Sequence, residues 1–356
     1  MDPRLMGRAE KYSKYLNQFL SKFMICQTIT SKFFDHPIVP LPEMKVQEWP
    51  CLFDSKYLKS IKICAEQTET ELRNDYNGWM ARWVKQGRRG MQPQLYNLRG
   101  ASLQNLYYLR LMADFPVIPK LHHDNPGWTF QAEEVYGMDW DNLPANSLYS
   151  QHLDEIIESS TKIKKLGEVF KEMSKRSDKA LANSGCKDKM ILTTAHPVAL
   201  FLLDQAIKRK HPQYRVVKVT APMGQAKCTE IFNGFCDKES KSQEEYKDYD
   251  ILLTTTPLIG TGLNMTDPNV FVMLDPLWMQ RDQRQAFARM HQAGQLRETY
   301  LILMYSIRNL VERRILERQQ KRQNIGDMAW TVTTGDLEME QQREAKRAQW
   351  RAEKGS

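Results

Sequence analysis

The chain has 356 residues, of which 41% are hydrophobic, and a formal net charge of +8. This length is enough for a sizeable core and about two structural units. No run approaches the roughly 18 apolar residues of a membrane-spanning helix, and the polar N-terminus lacks the apolar core of a signal peptide. The basic balance permits nucleic-acid or phosphate binding without proving it.

The cysteines are scattered, without a CxxC pair or a regular spacing: Cys26, Cys51, Cys64, Cys186, Cys228 and Cys236. This pattern indicates buried thiols in a reducing compartment, and it predicts neither a disulfide framework nor a zinc site. The sequence contains no GxSxG or HExxH motif either. We therefore expect no metal ligands in this chain.

The first 156 residues predict a mostly helical region. Residues 1–35 repeat apolar side chains at three- and four-residue steps, residues 54–84 are also helical, and "SLQNLYYLRLMADFP" is a helix that Pro116 ends. Between them, "KVQEWPCLF" indicates a short strand and "KQGRRGMQPQ" a basic, glycine-rich loop. Residues 117–150 are rich in turn formers and predict a long irregular connection.

From residue 157 to residue 322, apolar runs alternate with amphipathic ones. The runs "KMILTTA", "YRVVKVTA", "YDILLTTT", "NVFVMLD" and "TYLILMYS" predict strands separated by helices. Such alternation is typical of βαβ units, and continuously apolar strands indicate a sheet that is covered on both faces. The predicted fold class is therefore α/β, a parallel sheet flanked by helices. Residues 323–356 form a charged tail, either a solvated helix or a disordered segment.

The segment "GTGLN", from Gly260 to Asn264, follows a predicted strand. Ligands of open parallel sheets bind at the carboxyl ends of strands, so the position suits a binding site. The segment is not a dinucleotide fingerprint, because Met265 stands where the third glycine belongs, and it is not a P-loop, because no Lys-Ser/Thr pair follows. The alternative is a turn that needs glycine backbone angles.

The segment "QAFARMHQAGQ" places Gln285, Arg289 and Gln292 at positions i, i+4 and i+7. In a helix these three side chains share one face, and the helix follows a strand that ends at Asp275. Arginine is a planar, permanently charged, multidentate partner for phosphate. The alternative is a solvated polar face.

Lysines and arginines also cluster in several places, where they form exposed helix faces or follow a phosphate backbone. These clusters are Lys162, Lys164, Lys165, Lys208, Arg209, Lys210, Arg313, Arg314, Arg318, Lys321 and Arg322.

In their order and spacing these motifs resemble the C-terminal helicase lobe of the Swi/Snf-type ATPases, which are superfamily 2 DNA translocases and chromatin remodellers. "GTGLNMTDPNVFVMLDPLW", "QAFARMHQAGQ" and "NLVERRILERQQKR" are similar to the patterns GxGLNLT…DPxWNP, QAxxRxHRxGQ and EExILxxQxxK of that family. "SSTKIKKLGEVF" and "KMILTTAHPVALFLL" resemble the start of the lobe. "LPEMK" and "LYYLRLMADFPVI" resemble the helical connection between the two lobes.

The resemblance implies a RecA-like lobe over 157–322, preceded by a helical inter-lobe region over 1–156. It implies that ATP binds between this lobe and a first lobe, which in the family carries the P-loop and most of the Mg²⁺ site. The implied nucleotide-facing residues are Arg289, Gln285 and Gln292, and the implied coupling residues are Gly260, Gly262 and Asn264. The implied nucleic-acid contacts are Thr194, Thr255, Thr261 and Trp278.

Two features depart from the family pattern. No G-x-x-x-x-G-K-[ST] or D-E-x-[HD] run occurs, and neutral Gln292 replaces the usual second arginine. We therefore expect weak ATP binding, and hydrolysis only when a first lobe is supplied.

The expected function is that of the C-terminal half of an ATP-dependent DNA translocase in chromatin remodelling or DNA repair in the nucleus. Its expected partners are duplex DNA or a nucleosome, the first lobe and further protein subunits, with no membrane. The alternative is a catalytically degenerate lobe that acts as a DNA- or protein-binding module. The "HxxGQ" ending and the long helical connection argue against a superfamily 2 RNA helicase.

Overall fold

The computed structural model describes residues 32–33, 36–37, 41–90, 92, 101–125, 128, 132–183, 187–236, 246–259, 265–309 and 311–322. The chain divides into two compact units, one comprising residues 41–315 and the other comprising 1–40 with 316–356. The predicted charged tail over 323–356 and most of the predicted helix over 1–35 lie outside the described residues.

Two short strands in the second unit replace the last residues of the helix predicted over 1–35. Strand β1 (Lys32–Phe33) pairs antiparallel with β2 (His36–Pro37). The helix prediction is wrong at Lys32 and Phe33. A residue that precedes proline, as His36 does, is disfavoured in helical backbone, so the chain favours extended structure here.

Six strands of the first unit form one sheet: β3 (Met44–Cys51), β4 (Met190–Thr194), β5 (Val216–Val219), β6 (Ile251–Thr255), β7 (Val270–Met273) and β8 (Thr299–Ser306). Their order is β3-β8-β7-β4-β6-β5, and every neighbouring pair is parallel. Strands β4, β6 and β7 are buried at every residue. This is expected of strands whose two faces are both covered, and it confirms the predicted parallel α/β, RecA-like fold class.

Strand β3 extends this sheet into the region before residue 157. Its eight residues pair in register with β8, from Met44 opposite Thr299 to Cys51 opposite Ser306. The predicted short strand is therefore confirmed, and it is an edge strand of the main sheet. The proposed domain boundary between residues 156 and 157 stays a prediction.

Helices cover the sheet and the region before it. Their bounds are α1 (Ser55–Lys85), α2 (Ala101–Asp114), α3 (Ile118–Asp124), α4 (Ala132–Gly137), α5 (Leu148–Ser159), α6 (Thr161–Asn183), α7 (Pro197–Lys210), α8 (Gly224–Cys236), α9 (Thr256–Ile259), α10 (Gln280–Ala288) and α11 (311–322). The irregular connection predicted over 117–150 is wrong where α3 and α4 occur. Pro119 lies in the first turn of α3, where proline starts a helix instead of breaking it.

One hydrophobic core joins the sheet to the helices that precede it. Phe115 after α2, Tyr149 and Ile156 on α5, Leu203 on α7 and Leu253 on β6 all belong to it and are buried. The helices before residue 157 therefore contribute to the same core as the sheet. Among the described residues, no helix is long and apolar enough to cross a membrane.

Candidate functional site

Asp275 lies just after β7, at the carboxyl edge of the sheet, and is fully buried. Its Oδ1 accepts a 3.0 Å hydrogen bond from Arg110 Nη2, its Oδ2 accepts one of 2.9 Å from the Thr194 hydroxyl, and both oxygens accept from the backbone N–H of Ala195. Burial by itself raises the pKa of Asp275, but the charge of Arg110 and these donors hold it below its usual value. The carboxylate thus joins β7, the end of β4 and helix α2.

Two of the predicted nucleic-acid residues lie inside this edge. Thr194 is fully buried with its hydroxyl directed to Asp275, and Thr255, at the end of β6, is also buried. The sequence motif did not distinguish such a buried hydroxyl from an exposed one. A contact between nucleic acid and either threonine stays a prediction that these buried side chains do not support.

Trp278 has the opposite environment. Its side chain is 43% exposed, and the Arg110 guanidinium lies 5.7 Å from the centre of its ring. Arg110 also donates to the carbonyl oxygen of Pro276 across 3.1 Å, so the turn after β7 is fixed to α2. The sequence analysis missed Arg110 as a site residue. An arginine within the apolar run "LYYLRLMADF" was the available signal, because such a charge is buried only when it is paired.

A second buried ionic cluster lies behind the first. Lys162 Nζ is 2.8 Å from Asp114 Oδ1 and 2.8 Å from Glu312 Oε1, and all three side chains are fully buried. The two carboxyl groups outweigh the effect of burial and raise the pKa of Lys162. Burial raises the pKa of Asp114, and the charges of Asp275 and Glu312 add to this effect, which the ammonium group of Lys162 offsets only in part. The prediction that Lys162 follows a phosphate backbone is therefore wrong.

His196 begins α7 beside this edge and is also buried. Neither ring nitrogen has a hydrogen-bond partner among the described residues, and the ring packs edge-on against Tyr107 with 4.7 Å between centroids. Burial lowers the pKa of His196 to about 3. The imidazole is therefore neutral at physiological pH.

Helix α10 carries the first residue of the predicted polar stripe and ends directly before the second. Gln285 is exposed, and Arg289 follows the last helical residue with its backbone still helical (φ −64°, ψ −30°). Gln292 lies beyond the end of the helix, so the expectation that all three residues share one helical face is wrong for Gln292. Arg289 is half-buried, and its Nε is a buried donor without a hydrogen-bond partner among the described residues.

The residues after Arg289 in the "RMHQAGQ" segment form hydrogen bonds with other parts of the chain. His291 Nδ1 lies 2.9 Å from the Thr299 hydroxyl, and Gln295 Nε2 donates to the carbonyl oxygens of Pro268 (2.9 Å) and Met290 (3.3 Å). Gly294 has φ +98°, a backbone angle that favours glycine. These contacts fix the chain after Arg289, so His291 and Gln295 have structural roles.

The predicted coupling residues Gly260, Gly262 and Asn264 and the predicted nucleic-acid contact Thr261 lie outside the described residues. The two ends of their loop are described: Ile259 and Met265 are both buried, and the backbone N–H of Met265 donates to the carbonyl oxygen of Arg289 across 3.1 Å. The chain therefore leaves this loop directly beside Arg289.

Most of the described basic clusters have acidic partners. Lys208 pairs with Asp141, Arg209 with Asp154, Lys210 with Glu158 and Lys165 with Glu168. Exposed pairs of this kind contribute about 0–1 kcal/mol each, so they stabilise little, but they partly neutralise the clusters. Among the described residues, no group of three or more His, Cys, Asp or Glu side chains is arranged to hold a metal ion.

Comparison with known proteins gives partial matches. No family model matches the chain. Over 131 residues, which are 37% of the chain and 14% of the relative, it is 30% identical to the Arabidopsis thaliana protein named putative SWI/SNF-related matrix-associated actin-dependent regulator of chromatin subfamily A member 3-like 1. Over 149 residues, 42% of the chain, it is 27% identical to the DNA repair protein RAD5 of Candida albicans, of which it covers 13%.

A solved structure also aligns with the chain. The C-terminal part of the Fun30 ATPase domain aligns over 78% of this chain and 90% of that one, with 16% identity and a TM-score of 0.48. The chain spans only 13–16% of the length of the first curated relatives that it matches.

Proposed function

We propose that this chain, which resembles the C-terminal helicase lobe of the Swi/Snf-type ATPases, closes on ATP held by a first lobe and binds the backbone of duplex DNA. With that first lobe it forms an ATP-dependent DNA translocase. We also propose a nuclear location and a role in chromatin remodelling or DNA repair. These proposals draw on the names of relatives of which the chain spans only a small part.

The observation that carries this proposal is the state of Arg289. Its buried Nε has no hydrogen-bond partner among the described residues, and an unsatisfied buried donor costs about 1–3 kcal/mol. A phosphate oxygen satisfies this donor and pairs with the guanidinium charge. Bound ATP, with Mg²⁺ held mainly by the first lobe, supplies the γ-phosphoryl group on which charge develops during transfer. Arg289 stabilises that charge.

The neighbours of Arg289 support its position in a nucleotide cleft. Exposed Gln285 lies one helical turn earlier and is available to contact the nucleotide or its attacking water. The backbone bond from Met265 to Arg289 links the loop containing Gly260, Gly262 and Asn264 to the same position. A shift of that loop on DNA binding would therefore move the backbone that carries Arg289.

DNA contact is proposed for the exposed face of Trp278, with the Arg110 charge behind it. An indole face next to a guanidinium offers stacking and a positive potential, both of which suit a nucleic-acid strand. Thr194 and Thr255 remain candidates for contacts through the backbone of the strand ends. Thr261, which lies outside the described residues, stays a predicted contact.

The experiment supplies a first lobe from a Swi/Snf-type relative, fused or mixed, and measures ATP hydrolysis with and without duplex DNA. DNA-stimulated hydrolysis should appear and should fall by about a thousandfold in Arg289→Ala, the effect expected of an arginine that stabilises phosphoryl transfer. Arg284→Ala is the matched control, because Arg284 is an exposed arginine on the same helix and should be dispensable. Normal hydrolysis in Arg289→Ala would sink the proposal.

A second candidate function is a degenerate lobe that binds DNA or protein without catalysis. It is favoured by Gln292, which is neutral and lies outside α10, so it cannot supply a second positive charge to phosphate. Gln292→Arg separates the two functions. If this change increases hydrolysis in the two-lobe protein, the natural site is a weakened ATPase. If neither form hydrolyses ATP while both bind DNA with salt-dependent affinity, the binding module is the correct function.

A further inference from the structure

The far end of α1 carries four exposed cations: Arg82, Lys85, Arg88 and Arg89. None of them forms an ion pair with an acidic residue in the part of the chain that the structure describes. The sequence explains why, since it contains no Asp or Glu from residue 76 to residue 113. We call these four residues the α1 tip.

Helix α1 holds its tip away from the core. Tyr57 and Ile61, near the start of the helix, are buried in the hydrophobic core. Lys85 is the last residue of the helix and lies about 36 Å from Ile61 along the helix axis, at 1.5 Å per residue. The helix is therefore a long arm with a positive end.

The tip is an ordered turn. The N–H of Gly87 donates to the Val84 carbonyl and that of Arg88 to the Trp83 carbonyl, both across 3.0 Å. The indole N–H of Trp83 donates to the Gly90 carbonyl across 3.4 Å. These bonds fix the positions from which the side chains of the tip project.

Arg88 has φ +59°, and among the described residues it alone combines a side chain beyond glycine with a positive φ. Left-handed backbone is unfavourable for a residue with a Cβ, and glycine, which stands at position 87, would adopt it freely. Strained residues of this kind cluster at functional sites. The observation indicates that the Arg88 side chain has a use outside the local fold.

A contribution to helix stability explains only two of the four cations in the α1 tip. Cations in the last turn favour the negative end of the helix dipole, and this explains Arg82 and Lys85. It does not explain Arg88 and Arg89, which follow the end of the helix. The cations at the end of α7 give a contrast, since Lys208, Arg209 and Lys210 all have acidic partners.

We propose that the α1 tip is a second nucleic-acid contact, which binds the phosphate backbone of duplex DNA independently of sequence. This proposal rests on the proposed function only in taking DNA as the partner. Binding at the α1 tip needs neither ATP nor Arg289. Unpaired cations on a rigid turn match the recurring phosphates of a duplex, and each phosphate that is bound releases counterions. The arm would hold DNA at a point remote from the sheet edge.

The test measures binding of the 356-residue chain to a short fluorescein-labelled duplex between about 0.05 and 0.2 M salt. Arg88→Gln/Arg89→Gln should weaken binding by about tenfold and lower the slope of log affinity against log salt by about 2, because two phosphate contacts are lost. Lys59→Gln/Lys62→Gln removes the same charge from the exposed surface near the start of α1 and should leave the slope unchanged.

A second variant separates binding from folding. Arg88→Gly relieves the left-handed strain, so it should unfold at the same temperature as the wild type or above it while it binds DNA more weakly. Unchanged DNA affinity in Arg88→Gln/Arg89→Gln overturns the proposal, whatever Arg289 does. If Arg88→Gln/Arg89→Gln binds DNA more weakly while Arg289→Ala hydrolyses ATP normally, the α1 tip is a DNA contact and the proposed function is wrong. Binding to vesicles of phosphatidylserine and phosphatidylcholine with no binding to the duplex also overturns the proposal.

Discussion

The backbone N–H of Met265 donates to the carbonyl oxygen of Arg289 across 3.1 Å. This bond joins the end of the "GTGLN" segment to the end of α10, two motifs that are separate in the sequence. Arg289 is half-buried, and its Nε is a buried donor without a hydrogen-bond partner among the described residues. The bond thus fixes the backbone at Arg289, while the Nε donor of its side chain is left unsatisfied.

The polar residues of "QAFARMHQAGQ" should have two kinds of effect when they are mutated, one on stability and one on ATP hydrolysis. Gln295 is 2% exposed and donates two hydrogen bonds, whereas Gln285 is exposed. Gln295→Ala should lower the free energy of unfolding by about 1–3 kcal/mol, because the carbonyl oxygens of Pro268 and Met290 lose a donor. Gln285→Ala should change it by less than about 0.5 kcal/mol and should lower ATP hydrolysis in the two-lobe protein.

Urea unfolding of the chain alone and hydrolysis by the two-lobe protein are the two measurements. Gln283→Ala is a less suitable control, because Gln283 is buried whereas Gln280 and Gln285 are not. Arg284→Ala, on the exposed side of α10, provides the control for both measurements. Equal loss of stability in the Gln285 and Gln295 variants would contradict the division.

The sequence predicts the strands well and the ionic clusters poorly. Runs such as β7 (Val270–Met273) are apolar at every residue, so local composition identifies them. Lys162 looks like a surface cation, and the apolar run around Arg110 indicates burial without naming a partner. The acids that pair with them, Glu312 and Asp275, lie far along the chain. No local pattern identifies such a distant partner.

Gln292 illustrates the same limit within one motif. Helical spacing predicts that it continues the stripe of Gln285 and Arg289. The helix ends first, because His291 contacts Thr299 and the following residues are tied to neighbouring segments of the protein. Helix ends that depend on tertiary contacts are among the least predictable features of a sequence.

Asp275→Asn should be strongly destabilising. Asp275 is a fully buried carboxylate that accepts from Arg110, Thr194 and the Ala195 N–H. The variant leaves the Arg110 charge without its partner, and breaking a buried pair costs about 3–5 kcal/mol. Urea unfolding at neutral pH measures this loss.

The matched control for this prediction is Asp248→Asn. Asp248 forms an exposed pair with Arg215 at 3.4 Å, which contributes at most about 1 kcal/mol. Because the folded-state pKa of Asp275 is lowered, its stabilisation is present above its usual pKa and is lost as the pH falls below it. A loss below about 1 kcal/mol in Asp275→Asn would show that the carboxylate does not hold this edge together.

Lys162→Met should destabilise the protein more at high pH than at low pH. Without the ammonium group, Asp114 and Glu312 are left buried together, and their pKa values, which burial already raises, should rise further. The folded state then keeps protons that the unfolded state has lost above about pH 4, so stability falls by about 1.4 kcal/mol per pH unit for each carboxyl group.

Unfolding free energies at pH 5 and pH 8 test this prediction. The gap between the variant and the wild type should widen as the pH rises. Adding Glu312→Gln to Lys162→Met should recover part of the loss at pH 8, since one of the two buried carboxyl groups is then neutral. Lys165→Met removes an exposed lysine and should show no such pH dependence. A pH-independent gap would mean that the buried carboxyl groups do not take up protons in the variant.

His196 should make the protein sensitive to mild acid. Its pKa is lowered by burial to about 3 from a usual value of 6.5, so the folded state resists a proton that the unfolded state accepts. The stabilisation is complete above pH 6.5 and is lost as the pH falls toward 3, by about 1.4 kcal/mol per pH unit. Between pH 6.5 and pH 4.5 the wild type should therefore lose about 2–3 kcal/mol through this residue.

His196→Phe removes the titrating group and keeps an aromatic ring against Tyr107, so its unfolding free energy should change less over this range. His152→Gln, which removes a half-buried histidine on α5, is the control. Urea unfolding at several pH values between 6.5 and 4.5 gives the slope for each protein. The same slope in His196→Phe and the wild type would show that the acid sensitivity arises elsewhere. A flatter slope in His196→Phe would place the acid sensitivity at the start of α7, next to the Ala195 N–H that donates to Asp275.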